Sequence, residues 1–534
     1  MRFCPSGTTR SHLICKVVFA SALSKNITLN VGLRWDVNTS PSERHNGING
    51  GFCFTCTNPY SSQIKYAQYP TLPNPTTGGL TFAGVGAPRA PYQVNLNDWQ
   101  PRVGIAWAFL PKTVFRAGFG IYYDFGNLAT TATGFSQTTS YVATLDGSVT
   151  PTNYFVSGKP YPSGVLAPAG ASGGLATAAG TAITYNGASG AIPWTEHWSM
   201  GFQRELPKQI LLDLQYVGSH SHPINVSQPW DVIPSALQAA CFENNAICNN
   251  TVANPFFGVL PSAAALGASA TLPAWQLARP YPLFNGITQS NDPAGYAHYN
   301  ALQVRFERRI KTVNFIVNYT YANDMQASSY LNSGNFRDST LWYGPWSNDQ
   351  RHFFTSNAVW QLPIGQGGRF LRSAHGVLGA LVSHWQGVST VVRATGTPLA
   401  IPASNLTGAP GCTSYVPAGG QTNSHWINNN ESCYQTLNQW QTRTAPLLVG
   451  YLRNPGYVIW NQSLQKTFVL PWEGLSAKFG IDCYLCSNTP IWGAPDGTIS
   501  NVPTPSTTGL TGFGTIAPTN HQVRNLLVSL KIMF

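Results

Sequence analysis

The chain has 534 residues, of which 9% are charged and 12% are aromatic, and its formal net charge is +11. Soluble globular proteins carry about 25% charged residues, so this composition is unusual for that class. No run of about 18 apolar residues occurs, which excludes a helical membrane protein. Lysine and arginine form no basic stripe and no nucleic-acid motif occurs, so we expect no nucleic-acid partner.

The first 25 residues do not form a clean export signal. They contain Arg2, Arg10 and Lys16, followed by a short apolar run, VVFASALS, without a convincing processing site. We interpret residues 1–25 as a degenerate or non-native segment and expect the true start of the protein to lie upstream. The folded domain is then expected to cover residues 26–534.

Residues 26–37, NITLNVGLRWDV, alternate apolar and polar side chains. Alternation at period two indicates a β-strand with one apolar and one polar face. The pattern recurs along the chain, and it is weakest in the eighth and ninth strands, whose faces we leave unassigned. The twelve predicted strands cover residues 26–37, 99–109, 113–124, 194–205, 209–218, 298–309, 312–323, 351–362, 378–395, 457–469, 475–486 and 524–534.

The connections between these strands alternate between long and short along the whole chain. A soluble β-sandwich has no reason to sort its loops in this way. An outer-membrane barrel does, because its periplasmic turns are short and its extracellular loops are long. The fold class predicted is therefore all-β, a transmembrane antiparallel β-barrel of about twelve strands in the outer membrane.

Most charged side chains of the predicted strands lie on the face opposite the apolar one. In a barrel that meets lipid on its apolar side, the polar face lines the lumen. The candidate lumen-facing residues are Arg34, Asp36, Arg102, Arg116, Asp213, Arg305, Glu307, Lys478 and Asp482.

The last strand places Leu526, Val528, Leu530, Ile532 and Phe534 on one apolar face. About 9–11 residues of tilted strand are enough to cross the hydrocarbon core of a bilayer. We interpret this segment as the closing strand of the barrel, through which the barrel-assembly machinery would act. The surrounding partner is outer-membrane lipid.

Ten cysteines are present, and several are near neighbours in loop-like segments. Local pairs suit an oxidising compartment, so Cys241 with Cys248 and Cys412 with Cys433 are possible disulfides. Cys53 and Cys56, like Cys483 and Cys486, form C-x-x-C pairs, for which zinc binding is the alternative interpretation. These two pairs lie too far apart for a zinc ribbon, so we expect no metal site.

No catalytic constellation is evident, so we expect neither an enzyme nor a cofactor. Residues 219–222, Ser-His-Ser-His, lie where the fifth predicted strand enters a long loop. They could form a nucleophile with its base, or a metal site, but no orienting acid is evident and polar loop residues are the simpler interpretation.

Several stretches resemble the C-terminal barrel of TonB-dependent transporters, specifically the Oar-like group common in acidobacterial genomes. They occur in family order and together cover nearly the whole chain. The stretches are WQPRVGIAWAF (99–109), FRAGFGIYYD (115–124), WSMGFQREL (198–206), LQYVGSHS (214–221), YNALQVRFERR (299–309), DQRHFF (349–354), ATGTPL (394–399), RNPG (453–456) and the final strand.

The resemblance implies an outer-membrane transporter whose long loops capture a small-molecule, oligosaccharide or peptide ligand. Family members carry a plug domain before a barrel of twenty-two strands, and this sequence shows neither the plug nor a TonB-contacting segment. Where the family commonly has Arg-x-Glu-x-Phe-Asn, this chain has Gly480, Asp482, Tyr484 and Leu485. We therefore expect a C-terminal barrel part that contacts the TonB complex only if a plug is supplied.

Two other functions remain open from the sequence. One is an adhesion or scaffold barrel whose loops bind a partner, and the other is a passive pore without energised transport. A barrel enzyme is the least favoured interpretation.

Overall fold

A computed structural model describes the chain over most of its length. The described residues are 12–40, 45–90, 92–124, 132–152, 161, 164–189, 191–310, 312–332, 340–401, 404–469, 475–499, 504–506, 509–517 and 521–534.

One large antiparallel sheet dominates the fold, and each of its thirteen main strands is hydrogen-bonded to its neighbours in sequence. Such an up-and-down meander is the strand order of outer-membrane barrels. The strands are β1 His12–Ser24, β2 Ile27–Asn38, β3 Trp99–Leu110, β4 Thr113–Tyr123, β5 Trp194–Leu206, β6 Ile210–Pro229, β7 Ile287–Ile310, β8 Val313–Tyr330, β9 His352–Gln361, β10 Trp385–Ala394, β11 Tyr457–Val469, β12 Ser476–Tyr484 and β13 Asn525–Met533.

Each of the twelve predicted strands has a counterpart among β2 to β13, although the strand 378–395 is confirmed only in its second part, and β1 adds a thirteenth. β1 lies within residues 1–25, the segment interpreted as degenerate or non-native, and it pairs with β2 from His12 opposite Asn38 to Ser24 opposite Ile27. The sequence did not reveal it because HLICKVVFASALS has apolar residues at both odd and even positions, with only His12, Lys16, Ser21 and Ser24 polar. Period-two alternation is weak in such a run.

Cross-strand register separates the side chains into two faces. Trp107 lies opposite Phe115, which lies opposite Phe202, and that residue lies opposite Leu214. Phe202 is 49% exposed, so this row belongs to an apolar outer surface, which we call the apolar face. Residues next in sequence to this row, such as Arg116 after Phe115, point to the opposite side of the sheet. We call that side the polar face.

Three strands are longer than predicted. β6 has 20 residues, β7 has 24 and β8 has 18, against about 9–11 needed to cross a bilayer. Their extra length lies at the end with the long connections. Residues 219–222 therefore lie inside β6 and not in a loop, which corrects the sequence-based placement.

The predicted strand 378–395 is wrong in its first part. Residues Gly376–Val382 form a helix, and the strand begins only at Trp385. Residues 362–384, which we call the β9–β10 connector, are therefore much longer than the predicted turn. The run GVLGALV is short and apolar, and periodicity alone does not distinguish a helix from a strand in such a run.

The long connections contain short elements of their own. The helices are α1 Ser235–Glu243, α2 Asn245–Asn249, α3 Ala274–Leu277 and α4 Gly376–Val382 of the β9–β10 connector. Short strand pairs or triplets are formed by Asn49–Thr57, Thr77–Ala83 and Gly86–Ala87; Thr251–Ala253 and Thr271–Pro273; Pro398–Ala400 and Leu448–Arg453; Ser404–Leu406 and Tyr434–Thr436; Ile491–Trp492 and His521–Gln522; and Thr504–Ser506 and Gly509–Thr511. Ile183–Tyr185 and Leu341–Pro345 join the edges of β7 and β8. Single 3-10 turns occur at Pro59–Gln63, Tyr66–Gln68, Gly174–Ala176, Pro207–Gln209 and Glu431–Cys433.

The buried apolar core lies in these long connections. The first cap is built by the β2–β3, β4–β5 and β6–β7 connections around Phe82, Phe256 and Phe284, which are fully buried. The second cap is built by the β10–β11 and β12–β13 connections around Leu452 and Phe513. The extracellular loops are thus folded structures with their own hydrophobic cores.

The two caps are joined through Trp440. This side chain from the β10–β11 connection packs with Ile233 and with Cys241 and Cys248 of the β6–β7 connection. Its indole Nε1 donates to Asn245 Oδ1 at 2.9 Å.

β1 and β13 are the two edges of the sheet, because no hydrogen-bonded pairing joins them within the described ranges. No helix in the described part of the chain is both long and apolar enough to span a membrane.

Candidate functional site

The polar face brings together the first three predicted lumen residues. Arg34 contacts Asp36 through two hydrogen bonds, Nε to Oδ1 at 2.8 Å and Nη2 to Oδ2 at 2.7 Å. Gln100 of β3 donates from Nε2 to the same Asp36 Oδ2 at 2.6 Å. Arg102 donates to Gln100 Oε1 at 3.2 Å and lies 4.3 Å from the ring centre of Tyr122.

Strand register explains this first cluster. Arg34 lies directly opposite Gln100, and residues two apart on either strand share that face. Asp36 is fully buried, so its carboxylate requires the paired donors that it has. A bidentate ion pair within β2 is thus joined to β3 by the amide of Gln100.

Asp98 adds an acid to this cluster from the loop that precedes β3. Its Oδ1 accepts from Asn95 Nδ2 at 2.7 Å, and its Oδ2 has no hydrogen-bond partner among the described residues. Burial and, second, the negative charge of Asp36 raise the pKa of the Asp98 carboxyl from 3.8 to about 6. Asp98 therefore changes its charge in a mildly acidic range.

A second cluster lies on the polar face of β6, β7 and β8. Asp213 is opposite Arg305, and Arg305 pairs with Glu307 two residues further along β7. Glu307 also pairs with Arg309. Asp213 and Arg305, together with Asn318 of β8, line a cavity of about 320 Å³. The three predicted acidic and basic residues of this region therefore share one polar site.

The remaining predicted lumen residues stand apart. Arg116 is exposed on β4, opposite Gly201, and makes no hydrogen bond or ion pair with any residue that the structure describes. Lys478 lies opposite Lys531, and Asp482 lies opposite Ser463. These three do not join either cluster. Their orientation toward a lumen stays a prediction.

Arg453 joins three stretches that are far apart in sequence. Its Nη2 donates to Asp349 Oδ2 at 2.6 Å, and its Nη1 donates to the carbonyls of Asp349 at 2.8 Å and Gly396 at 3.1 Å. Asp349 is fully buried and also contacts Arg351 at 3.4 Å. The stretches DQRHFF, ATGTPL and RNPG thus meet at one point, where β9 and β10 enter the second cap.

Sequence reasoning missed both Gln100 and the Arg453–Asp349 contact. Gln100 could have been found, because it lies two residues before Arg102 and shares its face. The Arg453–Asp349 contact joins residues 104 positions apart, and no local pattern indicates it.

Residues 219–222 show no catalytic arrangement. His220 stacks on His298 at 4.3 Å, and its Nδ1 lies 4.0 Å from Glu196 Oε2. Ser219 projects to the other face of β6, away from this imidazole. The described residues contain no group of three or more His, Cys, Asp or Glu side chains that could hold a metal ion.

The structure pairs the loop cysteines locally. Cys241 is bonded to Cys248 and Cys412 to Cys433, as the spacing suggested. Cys53 is likewise bonded to Cys56, and Cys483 to Cys486. The two C-x-x-C pairs are thus each joined within themselves.

A family model described as an outer membrane beta barrel domain matches residues 22–526. The chain belongs to this family of outer-membrane β-barrels. The match includes β2 to β12 and every long connection between them. It establishes the outer membrane as the location of the barrel.

Solved structures similar to this barrel are outer-membrane receptors and transporters. The siderophore receptor PirA from Acinetobacter baumannii is 10% identical with a TM-score of 0.40, covering 98% of this chain and 54% of that one. The outer membrane transporter YddB from Escherichia coli gives the same four values. The ferric-catecholate import receptor Fiu from E. coli K12 is 9% identical with a TM-score of 0.39, covering 98% of this chain and 44% of that one.

The barrel chain therefore spans only about half the length of these receptors, or less. No curated protein matches it.

Proposed function

We propose that this barrel is the membrane-spanning part of a TonB-dependent-type transporter of the Oar-like group. Its polar face would line the transport path, and its folded caps would capture a ligand at the extracellular mouth. The observation that carries the proposal is the pair of charged clusters on the polar face. One contains Arg34 and Asp36 on β2, and the other contains Asp213, Arg305 and Glu307 on β6 and β7. Charged groups in this arrangement suit passage of a polar solute.

The folded caps support ligand capture. Loops with hydrophobic cores and disulfides present a fixed surface, so binding a ligand costs less ordering entropy than it does for a flexible loop. In the TonB-dependent family, the TonB complex acts through the plug. The proposal therefore assigns energised uptake only to a barrel whose lumen holds a plug domain.

Ion conductance across planar bilayers tests the transport path. We expect the reconstituted chain to conduct, because the polar face carries charged side chains. Arg116→Glu should shift the reversal potential in a salt gradient toward cation selectivity, because it reverses an exposed charge on that face. Arg393→Glu is the matched control, since Arg393 lies on the apolar face beside Phe354 and Val458.

Two results would favour the other candidate functions. The barrel would be a passive pore if it conducts and if its ligand uptake, measured with a plug domain present, does not depend on an active TonB complex. A barrel that does not conduct, but binds cells or matrix through its caps, would be an adhesion or scaffold protein. The compact cores of the caps are the observation that keeps the adhesion function open.

A further inference from the structure

The β9–β10 connector differs from the other turns at the periplasmic end of the sheet. β1 and β2 are joined by residues 25–26 and β3 and β4 by residues 111–112, whereas the connector covers 362–384 and contains α4. A longer and partly helical connection at this end suggests a role of its own.

The connector exposes a set of large apolar side chains. They are 54–78% accessible, which is unfavourable for a segment surrounded by water alone. The residues are Phe370, Leu371, Val377, Leu378 and Leu381.

Two contacts tie the connector to the apolar face of the sheet. Trp385 Nε1 donates to the carbonyl of Leu381 at 2.9 Å, and Lys466 Nζ donates to the carbonyl of Ser383. Trp385 of β10 lies directly opposite Lys466 of β11. Trp385 is two residues before Gly387, which lies opposite Trp360, so these residues share the apolar face. The exposed apolar side chains of the connector are thus continuous with the apolar surface of the barrel.

A groove of about 1060 Å³ lies between the connector and the sheet. Phe315, Val317, Ala358 and Trp360 of the apolar face line one side, and the connector lines the other. Its volume is similar to that of the largest cavities that hold drug-sized ligands, about 300–1,000 Å³.

The charge of the connector is entirely basic. It contains Arg369, Arg372, His375 and His384 and no Asp or Glu. Arg369 is exposed and borders the groove. A short amphipathic segment with apolar and basic side chains is the usual composition of a membrane-surface anchor, and its cations favour anionic lipids.

We propose that the β9–β10 connector anchors the barrel to the periplasmic leaflet and holds one anionic glycerophospholipid. An acyl chain lies in the groove beside Phe315 and Trp360. The phosphate pairs with the guanidinium groups of Arg369 and Arg372. This site is independent of the transport path, because it lies on the opposite face of the sheet.

Fluorescence quenching in vesicles of phosphatidylethanolamine containing phosphatidylglycerol tests the anchor. The full chain carries an environment-sensitive label at Val377→Cys, and the unsubstituted chain gives the labelling background. We expect quenching by lipids spin-labelled near the headgroup and little quenching by aqueous iodide. Val149→Cys is the control, because Val149 is 80% exposed on a long loop and should show the reverse.

Retention of phosphatidylglycerol, measured by native mass spectrometry, tests the lipid site. Arg369→Gln should lower its enrichment over phosphatidylethanolamine about fivefold, as expected for one cation near a lipid phosphate. Lys65→Gln, which removes an exposed charge in a long loop, should leave it unchanged. Ala358→Trp should displace the bound lipid by filling the groove, whereas Ala117→Trp, elsewhere on the apolar face, should not.

Three results would overturn the proposal. The first is a Val377 label quenched by iodide alone, and the second is a label shielded from both quenchers, which would mean that protein covers the connector. The third is lipid retention that is equal in the Arg369 and Lys65 variants or in the Ala358 and Ala117 variants.

Discussion

Arg453 shows how one side chain holds the barrel and the second cap together. Its guanidinium spans Asp349, which precedes β9, and Gly396, which follows β10. Because Asp349 is fully buried, its carboxylate depends on Arg453 and Arg351 for compensation.

We predict that Arg453→Met destabilises the folded barrel by about 3–5 kcal/mol, the usual cost of leaving one partner of a buried ion pair alone. Urea-induced unfolding of the protein in vesicles measures this. Arg393→Met is the matched control, since Arg393 is exposed and forms no ion pair with any described residue. Equal unfolding midpoints for the two variants would show that Arg453 is not the link described here.

The pKa of Asp98 predicts a pH dependence of the loop before β3. Its folded pKa of about 6 exceeds the ordinary value of 3.8, so between these values the folded state binds more protons than the unfolded state. Stability of this loop should therefore fall as pH rises from about 4 to about 6. The hydrogen-exchange protection factors of residues 92–98, which correct for the intrinsic pH dependence of exchange, should fall over that range.

Asp98→Asn should remove this dependence, because the amide stays neutral at every pH in the range. The variant should keep the same protection factors above pH 6 as at pH 4. If the protection factors of the variant still fell between pH 4 and 6, Asp98 would not be the group that causes the dependence.

The sequence predicted individual site residues only where period two applies. It placed Arg34, Asp36 and Arg102 on one face, because alternation depends on the local backbone. It did not predict that Gln100 joins them, since the register between strands is fixed by tertiary pairing. Arg116 and Lys478 were selected by the same rule, yet neither joins a charged cluster.

At the scale of single elements, twelve of the thirteen main strands were predictable, whereas β1 and the β9–β10 connector were not. Long alternating runs such as 457–469 match β11 in full. The prediction for the β9–β10 connector was wrong because its apolar run has no clear period. Its helix is favoured by contacts with Trp385 and Lys466 that the sequence does not reveal. The strand β1 was not predicted for a related reason, because both of its faces carry apolar side chains.

Gly396 permits the close approach of the chain after β10 to the segment before β11. A Cβ at this position would lie 1.7 Å from the carbonyl oxygen of Asn454. Gly396→Ala should therefore separate these two segments and weaken the Arg453 contacts, by about 1–3 kcal/mol as is typical of overpacking. Gly419→Ala, in the same connection but with open space around it, should unfold like the unsubstituted protein.

The Cys412–Cys433 disulfide closes a sequence separation of 21 residues within the second cap. Its removal by Cys412→Ser with Cys433→Ser should cost about 3 kcal/mol in the stability of that cap, because the unfolded loop regains its freedom. Limited proteolysis should then cut between residues 404 and 450 while the sheet stays intact. Replacing Cys483 and Cys486, which are separated by 3 residues, should have a smaller effect. Equal cleavage in both variants would contradict this assignment.

At the scale of the whole molecule, the alternation of loop lengths predicted the architecture. Topology follows from strand count and connection length, and both are visible in the sequence. The packing of the caps was not predictable, because the first cap draws its core from three connections that are distant in sequence. The contact of Trp440 that joins the two caps was not predictable either, because it connects residues that are distant in sequence.

The central claim is that the strands cross the outer membrane with one face toward lipid and the other toward water. Spin labels placed one at a time along β5 in a bilayer test this most directly. Labels at Met200 and Phe202 should respond to oxygen dissolved in lipid, and labels at Ser199 and Gln203 should respond to a water-soluble nickel chelate. This period-two alternation is the predicted result. Equal access of the nickel chelate to all four positions would contradict the account.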